Sequence, residues 1–457
     1  MPITRFRPSS LGTRIIAFAG LAVVLFLQTS GRPTLAQQAR PETAAVTYAK
    51  DIAPIFQRSC QQCHQPGAVG PMSLTTYDEV RPWAKSIKQK VVLGEMPPYR
   101  YDRGIGIQKL KYDLRLSEAE VQTISRWVDA GSPAGNPAEL PPARSFPDPN
   151  TWAFADQFGP PDLIIRSKPF TVEAKGQDVW WRPVVPTGAT KDRCIKAIAV
   201  KPSAKGRAAA HHANSDLIVF DENAGEYVER ERFTEYAMGK VGEMVPPDAC
   251  RTLPANSLVR WDIHYYPTGQ KIENDMIEMG VWLYPEGHSA PYKQDLKLYS
   301  LLMKGGELEI PPHGTAVTQG FHSFQEPVRI DSFQPHGHFR LAGKTLEIFY
   351  PETGKLELIS SISNWTNSWH TSHIYEDDVA PLVPKGAVLV ITGYYDNTAG
   401  NKQNPDPNQW VGIGSRTADE MSHAWIAVTH LDEKGYQKLV AEREQRKKTV
   451  AQTTVAK

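Results

Sequence analysis

Cysteine is scarce in this chain: four residues in 457, at positions 60, 63, 194 and 250. With only one close pair, no second pair exists to complete a four-cysteine zinc site. Long apolar runs are absent beyond residue 27, so no later segment reads as a membrane helix, which needs about 20 apolar residues. A dominant charge sign is absent too. Residues 1–36 hold four Arg and no acid; without them 51 − 4 = 47 basic residues face 50 acidic ones, which gives no reason to expect nucleic acid as a partner. No nucleotide-binding glycine loop, Gly-x-Ser-x-Gly elbow or His-Glu-x-x-His helix occurs, which weakens the common dehydrogenase and hydrolase readings.

What is present begins with a leader. Arg5, Arg7 and Arg14 precede thirteen unbroken apolar residues, Ile15 to Leu27, and Thr34-Leu35-Ala36 offers a small-residue cleavage site before Gln37. That order describes a secretory signal peptide over residues 1–36, the other reading being an uncleaved N-terminal anchor. The mature chain is expected in the periplasm or secreted, with no membrane span. Its length of about 420 residues exceeds what one core serves, so two or three domains are expected. With 37 Pro and 33 Gly, many short strands are favoured over long helices. In an oxidising compartment Cys194 and Cys250 most simply form one disulfide.

The run Cys60-Gln61-Gln62-Cys63-His64 carries the most specific signal. Two thiols three positions apart can each add to a haem vinyl group, and the adjacent His reaches the iron. A thioredoxin-like redox pair has the same spacing but belongs in a βαβ context, which is missing here. Helical stretches from Tyr48 to Arg58 and Thr76 to Leu93, and a capping box at Ser117-Glu118-Ala119-Glu120, predict a small helical domain over residues 45–135. Met96, in Gly94-Glu95-Met96-Pro97-Pro98, is the expected second axial ligand, ahead of Met72. A thioether there raises the haem potential and suits an electron carrier. The stretch also resembles the small cytochrome c modules of bacterial multidomain proteins.

Residues 136–161, rich in Pro, Asp, Asn and Ala, read as a linker. Beyond it the pattern is of strands. Val259, Trp261, Ile263 and Tyr265 alternate with Arg260, Asp262, His264 and Tyr266. Lys344 to Ser360 reads as a hairpin turning at Pro351-Glu352-Thr353-Gly354, with further strands at Ala387 to Asp396 and His423 to Leu431. The fold class is therefore multidomain, α plus all-β. A helical domain is followed by two β-sandwiches over residues 162–290 and 291–432, then a charged tail over 433–457.

Twelve of the thirteen His lie between 211 and 430. His336-Gly337-His338 puts two imidazoles on one side of an extended chain, a natural chelate for copper or zinc. His211-His212 is less obvious, since a regular strand points neighbouring rings oppositely and only a bend would let both reach one ion. His264 sits on the polar face of its strand. Each of these is, taken alone, as compatible with an ordinary hydrogen-bonding histidine.

The order His211-His212, Asp262-Ile263-His264-Tyr265, Pro335-His336-Gly337-His338, Asp419-Glu420-Met421 resembles the type II copper, ascorbate-dependent monooxygenases, the family of peptidylglycine α-hydroxylating and dopamine β-monooxygenases. The likeness spans roughly residues 165 to 432. Gly393-Tyr394-Tyr395-Asp396-Asn397 and Asn404-Pro405-Asp406-Pro407 are similar to bacterial members fused to a cytochrome c domain. The resemblance implies two jelly-roll-like sandwiches, each with one copper, facing a solvent-filled cleft. His211, His212 and His264 would form the electron-transferring site; His336, His338 and Met421 would hold the copper that meets dioxygen. His423, two residues from Met421, competes as a ligand; His313, His322, His370 and His373 read as supporting or surface groups. No substrate-gripping residue of the animal enzymes has a match.

The implied activity is insertion of one oxygen atom of O2 into a C–H bond of a small-molecule or peptide substrate. An external donor, an ascorbate-like reductant or a redox protein, would supply electrons, and one covalent haem c on the same chain is the expected inlet. Two other readings compete: a non-catalytic periplasmic haem/copper electron-transfer protein, and a haem enzyme acting on peroxide or nitrite. A His64/Met96 iron leaves no open position for the last.

Overall fold

The computed structural model describes residues 45–144, 151–240, 242–300, 308–414 and 416–455. The expected signal peptide lies outside the described residues. The chain is mostly β-sheet with few helices, and among the described residues no helix is long and apolar enough to cross a membrane.

Between residues 46 and 140 the chain forms short helices joined by loops. Tyr48–Ile52 runs directly into Ala53–Ser59, Tyr77–Val80 leads through a tight turn into Ala84–Val92, and Glu118–Asp129 follows. Ser117 caps the last of these, its hydroxyl accepting from the Glu120 amide while the Glu120 carboxylate accepts from the Ser117 amide. Ile52, Phe56, Val80, Val91, Ile124 and Trp127 form a core that belongs to this segment alone. Between the helices, however, the chain leaves that core. Tyr99, Tyr101 and Leu110 are buried among Phe333, Ile359 and Tyr375 of the second β half, and Leu110–Lys111 adds a short strand to His373–Tyr375.

The first β half packs a five-stranded sheet, built on Leu258–Tyr265, Ala210–Asp221 and Glu226–Ala237, against Arg193–Pro202, Ile277–Leu283 and Ala249–Leu253. The alternation at 258–265 places Val259, Trp261, Ile263 and Tyr265 in the shared core. Cys194 and Cys250, on the neighbouring strands Arg193–Pro202 and Ala249–Leu253, form a disulfide. The second half packs Thr315–Ser323, Val388–Asp396, Leu341–Tyr350 and Lys355–Ile362 against Val328–His336 and His423–His430. The hairpin turn at 351–354 falls between Leu341–Tyr350 and Lys355–Ile362. One 11-stranded sheet passes through both halves, because Ala249 and Cys250 pair in parallel with Tyr292 and Lys293. The tail forms the helix Glu433–Val455.

Candidate metal and haem sites

The helix Ala53–Ser59 ends at Cys60, and the next turn is held by amides of Cys63 and His64 donating to the Cys60 carbonyl at 3.2 and 3.0 Å. Both thiols are free and partly exposed. Burial pushes the Cys60 thiol up to about 12 and raises Cys63 as well. An activated redox pair shows the opposite shift. His64 Nδ1 donates to the Met72 carbonyl at 3.1 Å, which fixes the ring and leaves Nε2 as its lone-pair nitrogen. Gly70 makes that approach possible: a Cβ there would stand 2.6 Å from His64 Nδ1. Met96 follows the helix Ala84–Val92 and is 40% exposed, while Met72 packs on the helical core. Paired free thiols, an anchored imidazole and an exposed thioether are a donor set that fits a c-type haem.

The first histidine group solves the problem of adjacent rings with an irregularity in the ladder. His264 pairs with His212, yet the next residue, Tyr265, pairs with Ala210. His211 is thus the extra residue of a bulge, and the local bend turns its ring to the same side as His212. The three ring centroids are 5.0 to 5.4 Å apart, and one nitrogen from each lies within 4.8 Å of the others. Asp178 accepts a hydrogen bond from His264 Nε2 at 2.6 Å, and Trp180 stacks on the same ring at 4.6 Å. His264 Nδ1 and His212 Nδ1 are buried without any partner. Burial, reinforced by neighbouring imidazoles, lowers the pKa of His211 and carries that of His212 well below the usual histidine range. Clustered imidazoles with buried, unpartnered ring nitrogens fit a metal ion.

The second group forms where Val328–His336 meets His423–His430. His336 pairs with His423, and their rings stack at 4.4 Å. His338 is 5.5 Å from His336 between centroids, and His370 5.0 Å. His338 Nδ1 donates to the Asp419 carbonyl at 3.1 Å. The buried Glu420 carboxylate accepts from the amides of His338, Arg340 and Met421, which ties the Met421 backbone to the His338 turn. Burial raises Glu420 to about 7. Lys344, fully buried, donates to the carbonyls of His336 and His423 at 2.6 and 2.8 Å, and burial lowers it to about 7. His370 Nε2 donates to the Asn367 carbonyl at 3.1 Å, leaving Nδ1 without a partner, as is His336 Nδ1. Burial lowers His370 to about 4.

Of the residues that the sequence singles out, His211, His212 and His264 converge, and His336 and His338 lie side by side. Asp178, Trp180 and Glu235 join them without any sequence signal, and His370, expected as a supporting or surface group, is buried beside His336. Glu235 lies among the second group: a carboxylate oxygen, a His336 nitrogen and a His370 nitrogen are within 4.8 Å of one another. No local pattern marks these residues, since each is a single residue on a distant segment. His313 bonds to Asn408. His373 is buried against Tyr99 and Tyr101.

No family model matches the chain, and no curated protein does. Among solved structures it is similar to PNGF-II, at 10% identity and a TM-score of 0.26, covering 59% of this chain and 66% of that one. A peptide-N(4)-(N-acetyl-β-D-glucosaminyl) asparagine amidase gives 11% and 0.26 over 58% of this chain and 96% of that one. The major capsid protein P2 of bacteriophage PM2 gives 7% and 0.25 over 60% of this chain and all of that one. The chain spans just under two thirds of the length of the PNGF-II chains. TM-scores this low carry no functional inference.

Proposed function

We propose that this chain is an exported, periplasmic copper-dependent monooxygenase that hydroxylates a C–H bond, with two jelly-roll-like copper domains and a helical c-type cytochrome domain as electron inlet. One observation carries the reading: two groups of imidazoles present buried ring nitrogens that no protein atom satisfies, at His212, His264, His336 and His370. An unpaired buried polar atom costs about 1–3 kcal/mol, and a bound ion removes that cost. When bound, copper supplies one-electron redox chemistry with dioxygen and the haem a one-electron entry.

The chain's own residues do the rest. Asp178 accepts from His264 Nε2 and so fixes that ring beside the other two, with its buried Nδ1 unpartnered. Lys344 pins the His336 and His423 carbonyls together and fixes the strand ends that carry both rings. Glu420 clamps the turn bearing His338 to that bearing Met421. Cys60 and Cys63 would attach the haem, and His64 and Met96 would offer their nitrogen and sulfur to its iron. The Cys194–Cys250 bridge suits an oxidising compartment.

Metal analysis with electron paramagnetic resonance on the purified protein tests this. The expected result is two type II copper signals beside one low-spin haem, with O2 consumed when an external reductant is added. One copper or none, with no O2 consumption, replaces this reading with that of a non-catalytic haem/copper electron-transfer protein.

A further inference from the structure

Glu235 is a buried carboxylate that lacks adequate compensation. It lies on Glu226–Ala237 of the first β half and is 4% exposed, while His336 and His370 of the second half are 8% and 6% exposed. Removing a carboxylate from water costs several kcal/mol unless charge and hydrogen bonds replace the solvent. Glu235 accepts one hydrogen bond, from Gln334 Nε2 at 2.6 Å. The cation nearest it, Lys240, stands 3.9 Å away and is committed to Glu243 at 2.7 Å. His336 and His370 lie beside it, each with Nδ1 buried and unpartnered. One anionic oxygen and two neutral imidazole nitrogens within 4.8 Å are the donors of a two-histidine, one-carboxylate centre.

We propose that Glu235, His336 and His370 together ligate a divalent first-row transition-metal ion, so that the second metal centre is shared between the two β halves. This rests on the copper reading above and changes its ligand set: a Glu235 oxygen takes the place of the Met421 thioether, and His370 that of His338. A carboxylate favours the divalent ion, whereas a thioether favours the monovalent one. The backbone fixes the arrangement. His370 donates its amide to the Met238 carbonyl at 2.8 Å, and Ala237, the residue before Met238, pairs with His212. His370 is thus anchored beside the strand pair that carries the first imidazole group, and the two centres are close neighbours.

The test titrates metal-stripped full-length protein with Cu(II) alone and Zn(II) alone, and reads stoichiometry, competition affinity and the metal-induced rise in Tm. Wild type is expected to take two ions. Glu235→Gln, which keeps the shape and the Gln334 contact but removes the charge, is expected to weaken one of the two sites at least about tenfold. The same variant in its metal-free form should melt at or above metal-free wild type, because an uncompensated charge is gone. That outcome separates lost ligation from misfolding. His370→Ala should lose the same site, and Met421→Leu should keep both. If Glu235→Gln retains both sites at wild-type affinity while Met421→Leu loses one, the ligand set is overturned and the copper reading stands. If wild type takes fewer than two ions, both are overturned.

Discussion

At Gly70 a single missing methyl group decides whether His64 can sit where it does. The close approach of 2.6 Å between a would-be Cβ and His64 Nδ1 leaves no room for alanine. Gly70→Ala is expected to push the ring off the Met72 carbonyl, to cost about 1–3 kcal/mol by overpacking, and to lower covalent haem incorporation. The haem absorbance per chain in purified protein and a denaturant melt measure both. Asp178 acts at the same scale. It is exposed enough to contribute little stability, yet its bond to His264 Nε2 fixes the ring that lies beside the other two imidazoles. Asp178→Asn should weaken metal binding at the first group by roughly 10–100-fold with little change in Tm, as read by competition with a chelator.

Between elements, two ties hold the long sheet. The Cys194–Cys250 bridge closes a loop with a sequence separation of 56 and joins neighbouring strands. By restricting the unfolded chain, such a bridge contributes about 4 kcal/mol. The paired change Cys194→Ala and Cys250→Ala should lower the denaturation midpoint accordingly without altering the haem spectrum. The second tie is His430, at the end of His423–His430, between Asp295 at 3.1 Å and Glu326 at 2.7 Å. The hydrogen bond with Asp295 raises its pKa above the ordinary 6.5. A raised folded pKa means that this contribution is complete below pH 6.5 and is lost as pH rises through the folded value. The stability that His430 adds, read as wild type minus His430→Gln, should therefore shrink as pH is raised above 6.5. Melts from pH 5.5 to 8.5 check the slope.

Over the whole molecule, the helical segment and the second β half are interlocked. Residues 99–111 leave the helices to bury Tyr99, Tyr101 and Leu110 in the β core, and the Tyr101 hydroxyl meets Ser360 Oγ at 2.9 Å. Tyr101→Ala should cost about 3–5 kcal/mol and expose the loop between the helices to protease. Limited proteolysis followed by mass measurement detects the cut, and an unchanged fragment pattern would count against this docking. The same interlock ties the loop between the helices to the sheet that carries Phe333 and Tyr375.

Much of this was legible in order and period. The alternation at 258–265 decided which residues enter the core, the Ser117/Glu120 pair decided where a helix starts, and two leftover cysteines decided the bridge. The run at 60–64 and the pairs at 211–212 and 336–338 put chemistry-bearing groups at fixed short spacings. Local geometry depends on spacing alone, so a sequence can express it. Three features are long-range and needed the folded chain. The bulge that turns His211 beside His212 arises from pairing with a strand over fifty residues away in the chain. The parallel pairing that runs one sheet through both halves depends on how those halves meet. Glu235 reaches His336 and His370 only because strands from the two halves pack together. Each of these comes from contacts between segments far apart along the chain, and no local pattern of residue types encodes such a contact.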